Sequence, residues 1–503
     1  MTLDSDAIFD CLRVLEALLE DRSKLAEVDA ETRARLLFAA GRLSRPERAE
    51  HRALTRALRR KDERRAREED RALLEGTGIR QKRLEPVFVT PPLLEAQPDE
   101  APEGVEPVEV KRERACYVCK DRYTKLHFFY DQMCETCGDF NYEKRSPSAE
   151  LSGRVALITG ARVKIGYQAA ILLLRAGARV IVTTRFPRDA ALRFAREAGY
   201  EGFRDRLSIY GLDLRHTPSV EAFARHLNQH ESRLDFVLHN ACQTVRRPVG
   251  FYQHLMEQEL APLPALPAEA RSLLDDYEAM RARTLHALKG GGSTSSPAQA
   301  LGLVAAPSLS QVALSSEDLA GGQALFPLGQ LDADLQQVDL RDVNSWRLAL
   351  DQVGTVELLE VQLVNAIAPF VLNARLKPLM LRERTFDKHI VNVSAMEGQF
   401  YRRFKTDKHP HTNMAKAALN MMTRTSARDY VKDGIHMNSV DTGWVTDEDP
   451  VHIARRKTEE SGFSPPLDIV DGAARIVDPI FSGFNSGEHM WGQFLKDYRP
   501  TAW

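Results

Sequence analysis

Four cysteines fall in two pairs, Cys116-x2-Cys119 and Cys134-x2-Cys137, with fourteen residues between the pairs. Each CxxC turn presents two thiols on one side of a tight bend, and a spacer of that length suits a hairpin that brings the turns together. The expected chemistry is a closed four-thiolate zinc site that folds a small module and leaves no coordination position for catalysis. Redox dithiols or iron–sulfur ligation would use the same residue type. His127, in "KLHFFYD", is a spare ligand only where a cysteine fails, and Phe128, Phe129 and Tyr130 are expected to pack the module or dock it on a neighbour. Cys11 and Cys242 carry no spacing argument.

A second stretch with chemical content is Thr159 to Gly166, "TGARVKIG". Small residues at a strand-to-helix turn let backbone N–H groups approach a pyrophosphate, and the helix N-terminus adds positive potential. The elements that would position this turn are visible around it. From Ser152 onward, short β-branched runs ("RVALITG", "RVIVTTR", "LSIYGLD", "LDFVLHNA", "HIVNVSA", "HMNSVDTG") alternate with helical patterns. That alternation implies an α/β fold, a Rossmann-type doubly wound parallel sheet covered on both faces. The rhythm breaks from Gln243 to Val343, where a helical pattern over Ala268 to Leu288 precedes the polar "KGGGSTSSP". The interval is expected to be an insertion of about 100 residues with a disordered tip, longer than any connecting loop. It leaves the carboxyl end of a strand, where such sheets bind ligands, so it suits a lid or substrate cap; a partner-docking arm is the alternative.

Upstream, residues 1–83 form a helical region, 84–110 a Pro- and Glu-rich linker, 111–145 the four-cysteine module and 151–503 the Rossmann domain. The helix "RPERAEHRALTRALRRKDERRAREED" mixes both signs and is expected to be solvated and laced with i, i+4 pairs, with an RNA or partner surface as the alternative. With 69 basic against 71 acidic side chains, nucleic acid is not an expected partner, and 43% hydrophobic residues are enough for a large core. No apolar run is expected to reach the roughly 18 to 20 residues that cross a bilayer, and the first residues lack a secretory pattern; a cytoplasmic protein without membrane contact is expected.

Taken in order, "TGARVKIG", Thr184-Arg185 after the second strand, Leu212-Asp213-Leu214 after the third and His239-Asn240-Ala241 after the fourth resemble the short-chain dehydrogenase/reductase family. The resemblance continues through Asn365 in "VNAIAPFVLNARLKPLM", then "IVNVSAMEG", the helix "HPHTNMAKAALNMM" and "GIHMNSVDTGWVT". It implies that Gly160, Ile165 and Gly166 shape the phosphate turn, Asp213 meets the adenine, and Asn240 supports the adenosine side. It also implies that Thr446 lies near the nicotinamide carboxamide, Asn365 organises a relay water and Lys416 holds the ribose. Arg185, with no acid in "TTRFPR", points to the 2′-phosphate of NADP(H), unless it is merely solvated at a strand end.

The chain departs from that family in two places. Lys164 stands at the middle glycine position, where together with Arg162 it would either add positive charge or obstruct the dinucleotide. The family's serine and tyrosine fall on Ala395 and Thr412. A phenol can be tuned toward neutrality, whereas an aliphatic hydroxyl cannot, so Thr412 does not replace it. Tyr401, in a lengthened loop, is the candidate substitute acid.

Three readings follow. The first is an NADP(H)-dependent oxidoreductase with a non-standard catalytic set, acting on an unknown small-molecule carbonyl or alcohol. The second is a pseudoenzyme that senses nucleotide or scaffolds a protein partner through the helical N-terminus or the insertion. The third is a nucleic-acid binder acting through the zinc module. Homo-oligomers would pair through the helices following Asn365 and containing Lys416.

Overall fold

The computed structural model describes residues 4–92, 108–289, 297–319, 322–402 and 405–503. The chain divides into two compact units, Met1–Asp70 and Arg71–Trp503. In the smaller unit, Asp4 caps the helix Ser5–Glu20 and Asp29 caps the helix Ala30–Ser44, each accepting a backbone N–H of the first turn. The long helix Arg48–Glu75 carries the expected rungs Arg59–Glu63, Arg64–Glu68 and Arg65–Glu69. All three are solvated, so each contributes only a few tenths of a kcal/mol.

The boundary falls at Asp70 and not at residue 83, because the following segment is built into the larger unit. Ile79 is fully buried, the Phe88 N–H donates to the Ala333 carbonyl, and the Thr90 hydroxyl accepts from Gln168. The first part of the expected linker is therefore packed; residues 93–107 lie outside the described residues.

Two strands, β1 (Glu109–Ala115) and β2 (Arg122–Lys125), make an antiparallel hairpin. The main sheet comprises β3 (Val155–Thr159), β4 (Arg179–Thr184), β5 (Leu207–Gly211), β6 (Phe236–His239), β7 (Lys388–Ser394), β8 (Ile435–Asp441), β9 (Phe494–Lys496) and β10 (Arg499–Thr501). Their order is β10-β9-β8-β7-β6-β3-β4-β5, parallel except for the β9/β10 pair. Ile158 lies between Val182 and Leu238 in register. Every residue of β3, β5, β6, β7 and β8 is buried, which explains the near-continuous apolar runs. Because the chain steps from β3 to β4 on one side and returns to β6 on the other, a crevice opens at the carboxyl ends of β3 and β6. β9 and β10, three residues each, carry no run long enough to be read from sequence.

The insertion connects β6 to a helical run beginning at Thr355. Its expected single helix divides into Ala268–Ser272 and Asp275–Lys289, with Leu273 and Leu274 buried at the break; the tip, 290–296, lies outside the described residues. The Leu273 carbonyl accepts the Ile209 N–H, so the insertion occupies the free edge of β5. Thr355–Met380 corrects the expectation about apolar runs, being long and apolar enough to cross a bilayer. Here one face of the run packs into the core, with Val361, Asn365, Leu372, Leu376 and Leu379 buried, while Leu359, Ile367 and Phe370 on the other face are exposed.

Glu259, in the insertion helix Gln253–Leu260, accepts the Asp189 and Arg188 N–H groups at the start of the helix Pro187–Ala195 (2.8 and 3.2 Å). Burial, with the nearby Asp189 charge, pushes its carboxyl up from 4.5 to about 7, against the pull of those N–H donors and Arg162. The folded state therefore binds this proton more tightly than the unfolded chain, so the contribution is full below about pH 4.5 and is lost as pH rises through about 7. Glu259→Gln is expected to flatten this dependence and to be more stable than the wild type at pH 8 by on the order of 1–3 kcal/mol, with little difference near pH 4.5. Urea unfolding at both pH values checks this.

Candidate dinucleotide cleft and metal centre

A cleft of about 540 Å³ opens at the carboxyl ends of β3 to β6, walled on its outer side by the insertion and by the loop after β8. Gly160 has φ +69°, and a Cβ there would sit 2.7 Å from Ala241 Cα. A Cβ at Gly166 would lie 2.2 Å from Asn240 Nδ2. Asn240 donates to the Gly160 and Thr159 carbonyls (3.0 and 3.3 Å), which makes it the latch between β6 and the phosphate turn. Lys164 adopts φ +57°, the left-handed conformation that favours glycine, and this accounts for the family's residue at that position. Its ammonium leaves the turn and reaches to 3.9 Å from Asp334 of the insertion.

The cations expected to serve phosphate are partly committed elsewhere. Arg162 pairs with Asp189 at 2.5 Å and donates to Gln336, so its charge is not available to a dinucleotide in the way its position implied. Arg185 donates to the Tyr252 hydroxyl (2.6 Å), with its guanidinium 4.5 Å from that ring's centroid. Asp213 is fully buried; despite that burial, the Arg215 guanidinium holds it below the usual carboxylate range, and Arg215 continues to Glu360. Ile165 packs against Gly472, and Thr446 donates to Glu448 on the cleft wall. Tyr252, Asp334 and Gln336 have no sequence signal because they come from the insertion.

The positions to which the resemblance assigns catalysis lie deeper. Asn365 sits in a wide π-type turn, Leu363–Ile367, and clamps Gln243 by accepting its N–H (2.7 Å) and donating to its carbonyl (3.2 Å). Buried Lys416 donates to the Val393 carbonyl at 2.8 Å. Thr412, Lys416 and Asn420 follow at four-residue spacing on one face of the helix Pro410–Tyr430. Thr412 Oγ1, the Asn420 amide and Ser394 Oγ are buried without a partner among the described residues. Ala395 follows Ser394 in extended conformation. None of Ser394, Ala395, Thr412 or Lys416 lines the open cleft. Tyr401 is 98% exposed and does not line the cleft either, so the structure does not bring the candidate substitute acid to the site.

The four cysteine Sγ atoms lie within 4.8 Å of one another, with Cys119 and Cys134 3.7 Å apart. A tetrahedron with Zn–S bonds of 2.3 Å has edges of about 3.8 Å, so the donors fit a zinc ion. Lys120, at φ +69°, closes the first knuckle, and Cys134 opens the helix Glu135–Glu143 at the second. Burial and the neighbouring thiols, Cys134 first, push the Cys137 thiol well up; a bound cation reverses that logic by favouring thiolates. His127 is not a spare ligand: its Nδ1 accepts the Phe129 and Tyr130 N–H groups, and its ring packs on Gly138.

The module is docked through buried polar contacts. Arg145 pairs with Asp468 and Asp471, each at 2.8 Å, and the Tyr130 hydroxyl donates to Asp471. The Tyr117 hydroxyl accepts the Trp444 N–H at 3.0 Å. Phe129 and Met133 share an apolar cluster with Val445, Leu467 and Ile469. Since Val445 and Ile469 also line the cleft, the four-cysteine module backs its wall.

A glycine-shaped phosphate turn, its asparagine latch and the retained Asn365 and Lys416 define a Rossmann-type dinucleotide domain of the oxidoreductase kind. Residues 154–259 match the short chain dehydrogenase family model and 349–461 the enoyl-(acyl carrier protein) reductase model. The two matches flank most of the insertion and make the Rossmann-type domain an SDR-type domain, similar to the short-chain dehydrogenases/reductases. It is 29% identical over 399 residues, 76% of its length and 74% of the relative's, to an uncharacterized protein of Acanthamoeba polyphaga mimivirus. It is 36% identical over 116 residues to dehydrogenase/reductase SDR family member 13 of Bos taurus, covering 22% of this chain and 30% of that protein. Against the Pseudomonas aeruginosa RhlG/NADP active-site complex the identity is 17% and the TM-score 0.42, over 69% of this chain and 95% of that one.

If the four thiols hold a metal and the cleft takes NADPH, as proposed below, removing the metal with a strong chelator, or with Cys119→Ser together with Cys137→Ser, is expected to weaken NADPH binding about tenfold, the scale of lost outer support for a site. Fluorescence titration measures it, and undiminished affinity in the metal-free protein would show that the wall stands without the module.

Proposed function

We propose that this chain binds NADP(H) in the cleft and acts as an oxidoreductase on a small carbonyl or alcohol, its proton passing through water held by Ser394, Thr412 and Lys416. The observation that carries the reading is the set of buried, unpartnered polar atoms beside the retained Lys416. Each such group costs about 1–3 kcal/mol when nothing satisfies it, so a row of them suits a site that receives water or a polar substrate. Bound NADP(H) would supply or accept the hydride. Gly160 and Gly166 would hold its phosphates, Arg185 its 2′-phosphate, Lys416 the ribose, and Thr446 the carboxamide side. The fit is supported by the two glycine cradles and by Lys164 leaving the turn toward Asp334. Thr412 would orient water, while Asn365, through Gln243, would keep the adjoining backbone in place.

A specific observation favours a second reading, a nucleotide-responsive protein without turnover. The usual serine and tyrosine positions carry no phenol and do not open to the cleft. The nucleic-acid reading loses support, since Phe129 and Tyr130 of the module pack on the domain and Arg145 is spent on Asp468 and Asp471. We place the protein in the cytoplasm, where four thiols stay reduced.

The test combines binding and turnover. NADPH should bind more tightly than NADH, and Arg185→Glu should lower NADPH affinity about tenfold with little change for NADH, as expected for loss of a charge-assisted phosphate contact. Lys416→Met should abolish NADPH oxidation across a carbonyl panel, and Thr412→Tyr should raise it. Binding without turnover in both the wild type and Thr412→Tyr would establish the second reading, and no binding of either dinucleotide would remove both.

We also propose a homo-oligomer. Leu359, Ile367 and Phe370 on one helical run and Met414 and Met421 on the other are exposed, which supports pairing through these helices. Phe370→Glu with Met421→Glu is expected to give monomers in analytical ultracentrifugation; a wild-type monomer at the same concentration would refute this.

A further inference from the structure

Three histidines far apart in sequence meet at the end of the sheet opposite the cleft. His389 near the start of β7 and His436 near the start of β8 are register partners on adjacent parallel strands. Their side chains therefore share one face. His489, in the loop after the helix Ile469–Ser486, covers them. One ligand nitrogen from each lies within 4.8 Å of the other two. His389 Nε2 and His489 Nδ1 are 2.9 Å apart, and the three ring centroids are separated by 4.9 to 5.3 Å.

Three details distinguish this cluster from ordinary aromatic packing. His436 Nδ1 is 3.1 Å from the Lys388 carbonyl, so the ring donates there and leaves the Nε2 lone pair for another partner. A backbone carbonyl that fixes the tautomer in this way is the usual outer support of a metal-binding imidazole. Gly483 stands inside a helix, where glycine costs about 1 kcal/mol relative to alanine. A Cβ there would fall 2.4 Å from His489 Nδ1 and 3.3 Å from His389 Nε2, so the glycine keeps open the space beside both nitrogens. Finally, His389 is fully buried and its Nδ1 has no partner among the described residues.

We propose that His389, His436 and His489 form a second metal site, a three-imidazole site for a divalent zinc-type cation. Imidazole suits zinc, copper and nickel, and three such ligands leave one coordination position for water. Binding replaces the proton shared by His389 Nε2 and His489 Nδ1, and the unpartnered His389 Nδ1 can carry that proton after tautomerisation. Asp387, paired with Arg154, is the charged pair beside the rim. The ion would clip β7 and β8 to the chain just before β9, and its distance from the cleft assigns it a structural role and no part in hydride transfer.

The test is metal content and metal-dependent stability of the full chain purified with zinc. Two zinc ions per wild-type chain are expected. His489→Gln and His436→Gln should each reduce this to one, and Cys119→Ser with Cys137→Ser should also reduce it to one. Added zinc should raise the melting temperature of the metal-stripped cysteine variant, and this rise should disappear when His489→Gln is added. His489 is half-exposed and His436 lies near a strand start, so either variant that folds suffices. One zinc per wild-type chain, unchanged by both histidine substitutions, overturns the proposal while leaving the four-cysteine site and the proposed function standing.

Discussion

The guanidinium of Arg145 is the contact on which the arrangement of the larger unit turns. It is buried beside two carboxylates, Asp468 and Asp471, that cap the helix Ile469–Ser486. Burial works against charge on both acids; Arg145 holds Asp468 below the usual carboxylate range, whereas burial and the Asp468 charge push Asp471 up, against the pull of Arg145 and the Tyr130 hydroxyl that donates to it. A buried cluster of this kind gains little over an apolar core, but removing one member leaves an uncompensated charge at a cost of about 3–5 kcal/mol. Its consequence here is geometric. The cluster holds the four-cysteine module at a fixed height against the loop that carries Val445 and Thr446, and through that loop against the cleft.

The insertion acts on the cleft from the other side. It engages Lys164 through Asp334, Arg162 through Gln336 and Arg185 through Tyr252. Three cations at the phosphate end are thus tied to one added segment, which also covers the free edge of β5. A family fold has gained a wall whose contacts are mostly with the nucleotide side. On the other side, Lys416, Asn365 and buried hydroxyls stand near Thr412, where the family resemblance places a phenol.

Much of this was readable in one dimension. The six central strands were legible because strands buried on both faces need unbroken β-branched runs, and the phosphate turn because Gly160 and Gly166 meet neighbours too close for any Cβ. The cysteine pairs were legible because both halves of a knuckle are local. Tyr401 shows the limit: residue type and a lengthened loop made it the candidate acid, yet its ring is exposed to solvent. Arg162 shows another, since a charge near a phosphate turn is open to any carboxylate that folding brings close, and here that is Asp189. β9 and β10 escaped notice because three-residue strands carry too little pattern to register.

The amino-acid sequence by itself determined the sheet, the glycine turn, the four-thiol motif, and an alanine and a threonine, Ala395 and Thr412, at the positions where the family resemblance places serine and tyrosine. These are local matters of residue type, period and spacing. Only the tertiary structure decided that the thiol module backs the cleft, that Lys164 leaves the turn for Asp334, and that His389, His436 and His489 converge on Gly483. Each of those joins segments dozens to hundreds of residues apart, where partner choice depends on which surfaces the parallel sheet brings together and which charges burial will not leave alone.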